Sequence, residues 1–327
     1  MNEQRTNESP LDSAAGVAGP RAVDALKRVG DETRLAILLA LWEAYEPFAD
    51  DNTLSFSELL DHVNYETSGN FSYHLQKLEG QFVESTADGY RLKQAGHRLI
   101  RVIIAGSGLT DDSLSPSEID LDCQLCGEPL AITYESEQLY TICTDCEGRF
   151  ASSTETPAGT IMGFTFDPAG LSRSSPEEIF AASVVRAMGK FIMQMAGLCP
   201  ECSGPVDGSL EICERHDPDG ICEHCGRRDE IQARWVCETC KNAGHGPPGP
   251  NLVLHPRVVA FYADRGLDIG YETNDFGSVV RMLTAMSNHE QEVVATDPVR
   301  VRVTVRYGGD ELRVIVDEST NVVDVEH

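Results

Sequence analysis

Cys199-Pro-Glu-Cys202, Cys213-Glu-Arg-His216, Cys222-Glu-His-Cys225 and Cys237-Glu-Thr-Cys240 follow one another between positions 199 and 240. Each pair has two residues between its ligand-type side chains, a spacing that lets one turn offer two donors to one tetrahedral ion. Two further pairs stand earlier, Cys123-Gln-Leu-Cys126 and Cys143-Thr-Asp-Cys146. The chain has 11 cysteines, all of them in these half-sites, and His216 stands where a twelfth ligand belongs. Three sites of four ligands follow. Taken in chain order, Cys123, Cys126, Cys143 and Cys146 make the first. Cys199, Cys202, Cys213 and His216 make the second, and Cys222, Cys225, Cys237 and Cys240 the third. Catalytic zinc keeps one position open for water. These sites fill all four with protein, so three zinc ions per chain are expected as structural clasps. Iron also suits all-cysteine sites, but nothing else in the chain points to electron transfer. His224 lies inside a half-site and is expected to stay out of the metal shell.

Composition narrows the setting. Acidic residues number 53 against 26 basic ones, a net charge of −27, and only five of the basic residues are lysine. An acidic, lysine-poor surface resembles that of cytoplasmic proteins of extremely halophilic archaea. There molar salt shortens the Debye length to about 3 Å and screens self-repulsion. The other reading is a solvated acidic protein with a basic partner. No stretch approaches the roughly 20 apolar residues of a membrane span, and residues 1–20 are small and polar, a disordered tail without a signal-peptide core. A cytoplasmic location without membrane contact is expected, and in a reducing compartment paired cysteines mean metal rather than disulfide.

The N-terminal third is helical by pattern. Val23, Leu26 and Val29 mark a short helix. Asp31 caps a second one that is apolar almost all round, and Ser55 caps a third over 56–63. Thr67 or Ser68 caps a fourth, in which Phe71, Leu75 and Leu78 form the inner stripe. Two short strands flank Asp88-Gly89 as a hairpin, and a last helix runs over 94–105. His74, next to Leu75, is expected to pack within the fold.

The stretches GDETRLAILLAL (30–41), SFSELLDHV (55–63), SGNFSYHLQKLE (68–79), then FVE (82–84) and DGYRL (88–92), resemble the ArsR-like winged helix-turn-helix regulators. The resemblance covers about residues 21–106. It implies a homodimer on double-stranded DNA, with the fourth helix in the major groove and the hairpin wing on the flanking backbone. By position it implies groove-facing roles for Ser68, Asn70, Ser72, Tyr73, Gln76 and Lys77. Asn and Gln suit adenine edges, Ser and Tyr suit phosphates, and Arg91 and Lys93 on the wing are phosphate candidates. The family also favours a dimer seam along the apolar last helix. One departure is plain: no cysteine precedes Cys123, and His62 and His97 are isolated, so the usual sensory metal sites are missing.

Residues 110–122 are acidic with Ser and Pro, and read as a linker. Between the first two half-sites, 130–134 and 138–142 read as a β-hairpin under a zinc clasp, a zinc ribbon. A strand follows over 160–166. Ser175-Pro176-Glu177-Glu178 then opens a helix carrying Phe180, Val184, Met188, Phe191 and Met195. That stripe reads as core, with an apolar pocket as the sharper alternative. The half-sites after position 199 read as two compact knuckles, 241–250 as a stiff linker and 252–254 as a short strand. Helices are expected from Pro256 and over 276–283, and strands over 299–307, 311–316 and 321–325. His255 and His289 read as surface residues.

The expected fold is therefore α+β and multidomain. It has a disordered tail (1–20), a winged helix-turn-helix domain (21–108), a zinc ribbon (119–150), a strand-plus-helix connector (158–198), two zinc knuckles (199–243) and a small α+β domain (251–327). No Gly-rich phosphate loop, G-x-S-x-G or H-E-x-x-H occurs, so no catalytic residue is assigned and a non-enzyme is expected. The expected function is a DNA-binding transcriptional regulator whose zinc-rich region binds an unknown effector or mediates assembly. Two alternatives stand beside it. One is a basal transcription accessory, since archaeal transcription factor E also pairs a winged helix with a zinc ribbon. The other is an enzyme using the zinc modules as scaffold.

Overall fold

The computed structural model describes residues 20–65, 68–153 and 156–326, so of the expected disordered tail over 1–20 only Pro20, which opens a helix, is described, and the reading of Thr67 as a cap lies outside the described residues. Contacts divide the chain into two units, 1–109 and 110–327. Both helices and several small antiparallel sheets are present, a mixed α and β architecture.

In the first unit, helix α1 spans Pro20–Val29, and α2, Glu32–Glu43, starts where the Asp31 carboxylate accepts from the Arg34 N–H at 3.1 Å. Helix α3, Phe56–Val63, opens with a capping box: the Glu58 N–H donates to Ser55 Oγ, and the Ser55 N–H donates back to Glu58 at 2.8 Å. Asn64 in the left-handed region ends it. Helix α4 runs Ser68–Leu78, and strands β1 (Val83–Ser85) and β2 (Tyr90–Leu92) form the hairpin. Leu54 adds a bridge to Tyr90, so close to the turn that a Cβ on Gly89 would lie 2.3 Å from the Leu54 carbonyl oxygen. Helix α5, Gln94–Ala105, closes the unit. Ile37, Leu38 and Leu41 of α2, Leu59 of α3, Phe71, Leu75 and Leu78 of α4, and Ile100 of α5 share one core. Full burial of each such side chain is worth about 1.5–3 kcal/mol, which fixes which face of α4 is left for solvent.

The second unit has three sheets around one long helix. Strands β3 (Leu114–Asp122), β4 (Pro129–Glu135), β5 (Gln138–Cys143) and β6 (Thr160–Thr165) form the first sheet in sequential order. Strand β3 occupies the segment read from sequence as a linker. Of its side chains only Ile119 is buried, so no apolar alternation marks it, and its pairing with β4 holds it. Helix α6, Pro176–Met195, begins where Ser175 accepts from the Glu178 N–H, with Pro at the first position, as expected. Strands β7 (Val206–Ile212), β8 (Ile231–Cys237) and β9 (Ala243–Gly246) make the second sheet.

The expected linker over 241–250 is instead β9 and a short helix α7, Pro248–Asn251, and residues 252–254, expected as a strand, lie in the turns after it. Pro248 presets the helical φ, and the Leu252 N–H donates back to Gly249 at 3.1 Å. Helices α8 (Pro256–Ala263) and α9 (Phe276–Ser287) precede a four-stranded meander, β10 (His289–Thr296), β11 (Val299–Tyr307), β12 (Asp310–Asp317) and β13 (Val322–Glu326). Strand β10 carries no core pattern in the sequence, because its side chains alternate between half-buried and exposed and none is fully buried. A single core runs from Ile132 and Tyr134 of β4 through Phe180, Val184 and Met188 of α6 to Val301, Val303 and Val314 of the meander. The segments separated in sequence as ribbon, connector and C-terminal domain thus share one hydrophobic interior. Trp235 of β8 donates from Nε1 to Thr320 Oγ1 at 2.9 Å, tying the second sheet to the turn after β12.

Candidate metal centres and a cation-lined face

Four of the six half-sites are built by one repeated turn. In Cys123–Glu128, the Gly127 N–H donates to the Cys123 carbonyl at 2.8 Å and the Cys123 N–H donates to the Glu128 carbonyl at 2.7 Å. The same two bonds recur around Cys199, Cys222 and Cys237, closed by Gly204, Arg227 and Asn242. Each turn needs a positive φ just after its second cysteine, and finds it at Gly127 (85°), Ser203 (62°), Gly226 (68°) and Lys241 (62°). A turn of this kind points both thiols to one side.

Among the described residues three groups of four ligand atoms come together, each within 4.8 Å: Cys123, Cys126, Cys143 and Cys146; Cys199, Cys202, Cys237 and Cys240; Cys213, His216, Cys222 and Cys225. The first is the expected set. The other two contain the expected residues in a different pairing, nested rather than sequential. The β7–β8 hairpin is the cause. Its register sets Val206 opposite Cys237 and Ile212 opposite Ile231. Cys199 and Cys202 therefore meet Cys237 and Cys240 at the open end, while Cys213, His216, Cys222 and Cys225 close on themselves at the turn end. In place of two knuckles side by side, one ribbon is clasped at both ends.

The geometry fits a four-coordinate metal. Sulfur pairs stand 3.7 Å (Cys123–Cys146), 3.5 Å (Cys126–Cys143), 3.6 Å (Cys199–Cys240) and 3.5 Å (Cys202–Cys237) apart. A tetrahedron with metal–sulfur bonds of about 2.3 Å has edges of about 3.8 Å, and a disulfide would need about 2.05 Å. His216 is prepared as a ligand. Its Nε2 donates to the Arg228 carbonyl at 3.1 Å, which leaves the lone pair on Nδ1, 3.6 Å from Cys225 Sγ. At Cys222 and Cys237 backbone amides favour the thiolate form; at Cys126 and Cys202 the same kind of amide bond is outweighed by burial and neighbouring thiols, and the thiol is pushed up to about 12. The N–H groups of Asp217 and then Cys225 draw the Cys222 thiol down to about 6, and that of Cys240 leads in drawing Cys237 to about 6. His224 lies outside the cluster as expected, its Nε2 3.1 Å from Arg215. The first and third clusters are stitched together: Phe150 bridges Arg227, and Arg228 Nε donates to the Gly148 carbonyl at 3.1 Å.

In the first unit, Asn70, Tyr73, Gln76 and Lys77 of α4 are exposed and Ser72 is half-buried; the side chain of Ser68 lies outside the described residues. Asn70 Nδ2 donates to the Tyr65 hydroxyl at 2.9 Å, and Lys77 Nζ stands 5.2 Å from the centre of the Tyr73 ring. The cations of the hairpin are engaged within the unit. Arg91 pairs with Glu84 at 2.8 Å, and Lys93 donates to the Gly80 carbonyl at 2.7 Å. His74 Nδ1 lies 3.2 Å from the Asp31 carboxylate, inside the fold as expected. Sequence reasoning missed a neighbouring feature. Lys27 and Arg28 of α1, Arg34 of α2, and Gln76 and Lys77 of α4 line one shallow hollow, with Asp24 the single acid among them. The available signal was two adjacent cations in the last turn of α1 in a lysine-poor chain. Seeing that three helices pool their cations requires the fold.

No helix among the described residues is long and apolar enough to cross a membrane. Comparison with known proteins returns two families. Residues 22–103 match a domain of unknown function, DUF7347, and residues 120–322 match a second, DUF7351. No curated protein matches the chain. The second match spans more than half of the sequence, so the chain belongs to the DUF7351 family.

Proposed function

We propose that this member of a family without an assigned role is a DNA-binding transcriptional regulator, with an ArsR-like winged helix in its first unit and three structural zinc ions in its second. The observation that carries the reading is the cation-lined hollow of Lys27, Arg28, Arg34 and Lys77, set beside exposed Gln76 on the outer face of α4. In a chain of net charge −27, Lys27, Arg28 and Lys77 gathered against Asp24, with Arg34 beside them already paired to Asp31 at 3.6 Å, mark a place for a polyanion. The helix order and the β1–β2 hairpin are those the resemblance implies. Gln76 and Asn70 are the candidates for base edges, while Lys77, Lys27 and Arg28 take phosphates. Arg91 and Lys93 are weaker phosphate candidates, since leaving Glu84 or the Gly80 carbonyl would cost them existing partners. Exposed Leu26, Val102 and Ile104 support self-association as a homodimer.

Zinc is the metal that a thiolate-rich, four-coordinate shell favours. With all four positions supplied by protein, its role is to fold the ribbon and the first sheet, at about 10 kcal/mol or more per site. Genome-wide footprinting tests the regulator reading. A small number of sites with dyad symmetry supports it. Occupancy at every promoter would replace it with a basal transcription accessory, and no occupancy would remove DNA from the account.

A further inference from the structure

A cavity of about 300 Å³ opens in the second unit between β6, α6 and α9. Ile161, Phe164, Met188, Phe191, Leu283 and Met286 give it apolar walls. Its volume is about twice that of an engineered cavity of about 150 Å³ that accepts benzene, and it falls in the range of small-molecule sites. Alongside Gln138, Tyr140, Thr160, His245 and Asn251, four of its polar groups come from elsewhere in the chain. Gln124 lies within the first metal turn, Arg149 just after Cys146, Asp229 just after Cys225, and His289 at the start of β10.

We infer that this cavity binds an uncharged small molecule with a ring-containing apolar body and one N–H or O–H donor. Charge decides against an ion. Arg149 Nη1 stands 3.5 Å from Asp229 Oδ1, so the polar end carries one charge of each sign. A carboxylate entering there would meet Asp229, and an ammonium would meet Arg149. His289, expected at the surface, is instead half-buried against the cavity and sets the donor requirement. Its Nδ1 donates to the Met286 carbonyl at 2.7 Å, which leaves Nε2 as an acceptor. Burial holds the imidazole below its ordinary pKa and so neutral. Gly249 makes room for the ring: a Cβ there would lie 2.0 Å from His289 Cδ2. Binding in this cavity does not depend on DNA binding by the first unit. Because Gln124, Arg149 and Asp229 sit on metal-clasped turns, the site exists only when the clusters are formed.

Calorimetric titration of the zinc-loaded full-length protein with indole, an uncharged ring compound with one N–H, tests it. One indole per chain is expected, with indole-3-acetate and tryptamine weaker by about tenfold or more, because each adds a charge that must be desolvated beside a like one. Met188→Trp or, should that variant misfold, Met286→Trp fills the space and is expected to weaken indole by about tenfold or more. His289→Phe removes the acceptor. It should weaken indole severalfold and leave N-methylindole, which has no donor, unchanged. Absence of saturable indole binding to the folded, zinc-loaded protein overturns the inference. So does equal affinity for the charged analogues, or indifference to a folded cavity-filling variant.

Discussion

Four residues of the metal turns do the same conformational task with different side chains. Gly127 and Gly226 take a positive φ freely, whereas Ser203 and Lys241 take it against the clash of Cβ with the carbonyl, at roughly 1 kcal/mol each. Ser203→Gly and Lys241→Gly are therefore expected to leave zinc affinity intact. Chemical denaturation of the zinc-loaded protein should show stability unchanged or higher by up to about 1 kcal/mol, the gain being reduced by a more flexible unfolded chain. Gly127→Val should cost about 1–2 kcal/mol by the same reasoning. His97 makes a second case. It is buried, with its ring centre 5.8 Å from that of Trp42 and 4.5 Å from that of Tyr45, and burial first, then Arg101, lowers its pKa below the ordinary value of 6.5. The folded state therefore keeps His97 neutral where the unfolded chain protonates it. Between the folded pKa and about 6.5 the unfolded state binds more protons, so this contribution is complete above that window and is lost as pH falls through it. Thermal melts of the first unit's signal from pH 7.5 to 5.5 should show that loss, and His97→Phe should flatten it. An equally steep curve in the variant would assign the pH dependence to other groups.

At the scale of elements, the ligand types were legible and their pairing was not. A half-site is a local turn, so Cys-x-x-Cys shows itself in four residues. Which half-sites share an ion depends on β7 and β8, whose pairing brings residues 199–202 to residues 237–240. Chain order alone favours neighbours. The nested arrangement makes a sharp expectation. Cys199 and Cys240 share one site, so a Cys199→Ser/Cys240→Ser double variant should lose one zinc per chain by mass spectrometry, whereas sequential pairing would lose two. Helices with strong caps, α3 and α6 among them, were readable at their first residue because Ser55 and Ser175 act within one turn. Strands β3 and β10 were not, since backbone pairing holds them with few buried side chains. On α4, Leu75 is 1 % exposed while Gln76 and Lys77 face solvent, so Leu75→Ala should cost about 2–5 kcal/mol and unfold the first unit without touching the metal clusters.

Over the whole molecule, charge and metal play different parts. Along the sequence the cation-lined hollow shows only as Lys27-Arg28 at the end of α1, because its other residues come from α2 and α4. The cavity of the second unit was hinted at only by the Met188 and Phe191 stripe, and its polar end is assembled from turns more than a hundred residues apart. With zinc as the proposed metal on those turns, removing it should loosen the metal turns and close the cavity, and leave the helical signal of the first unit. DNA binding by the first unit is the claim on which the functional reading rests. Its most direct measurement is the affinity of the zinc-loaded full-length protein for its footprinted DNA, set against Arg28→Ala/Lys77→Ala, across the salt range in which both stay folded. The expected result is binding by the parent chain and a loss of about tenfold or more in the variant, with the slope of log K against log salt shallower by about two. Equal affinity and equal slope for a folded variant, or no DNA binding by the parent chain, would contradict it.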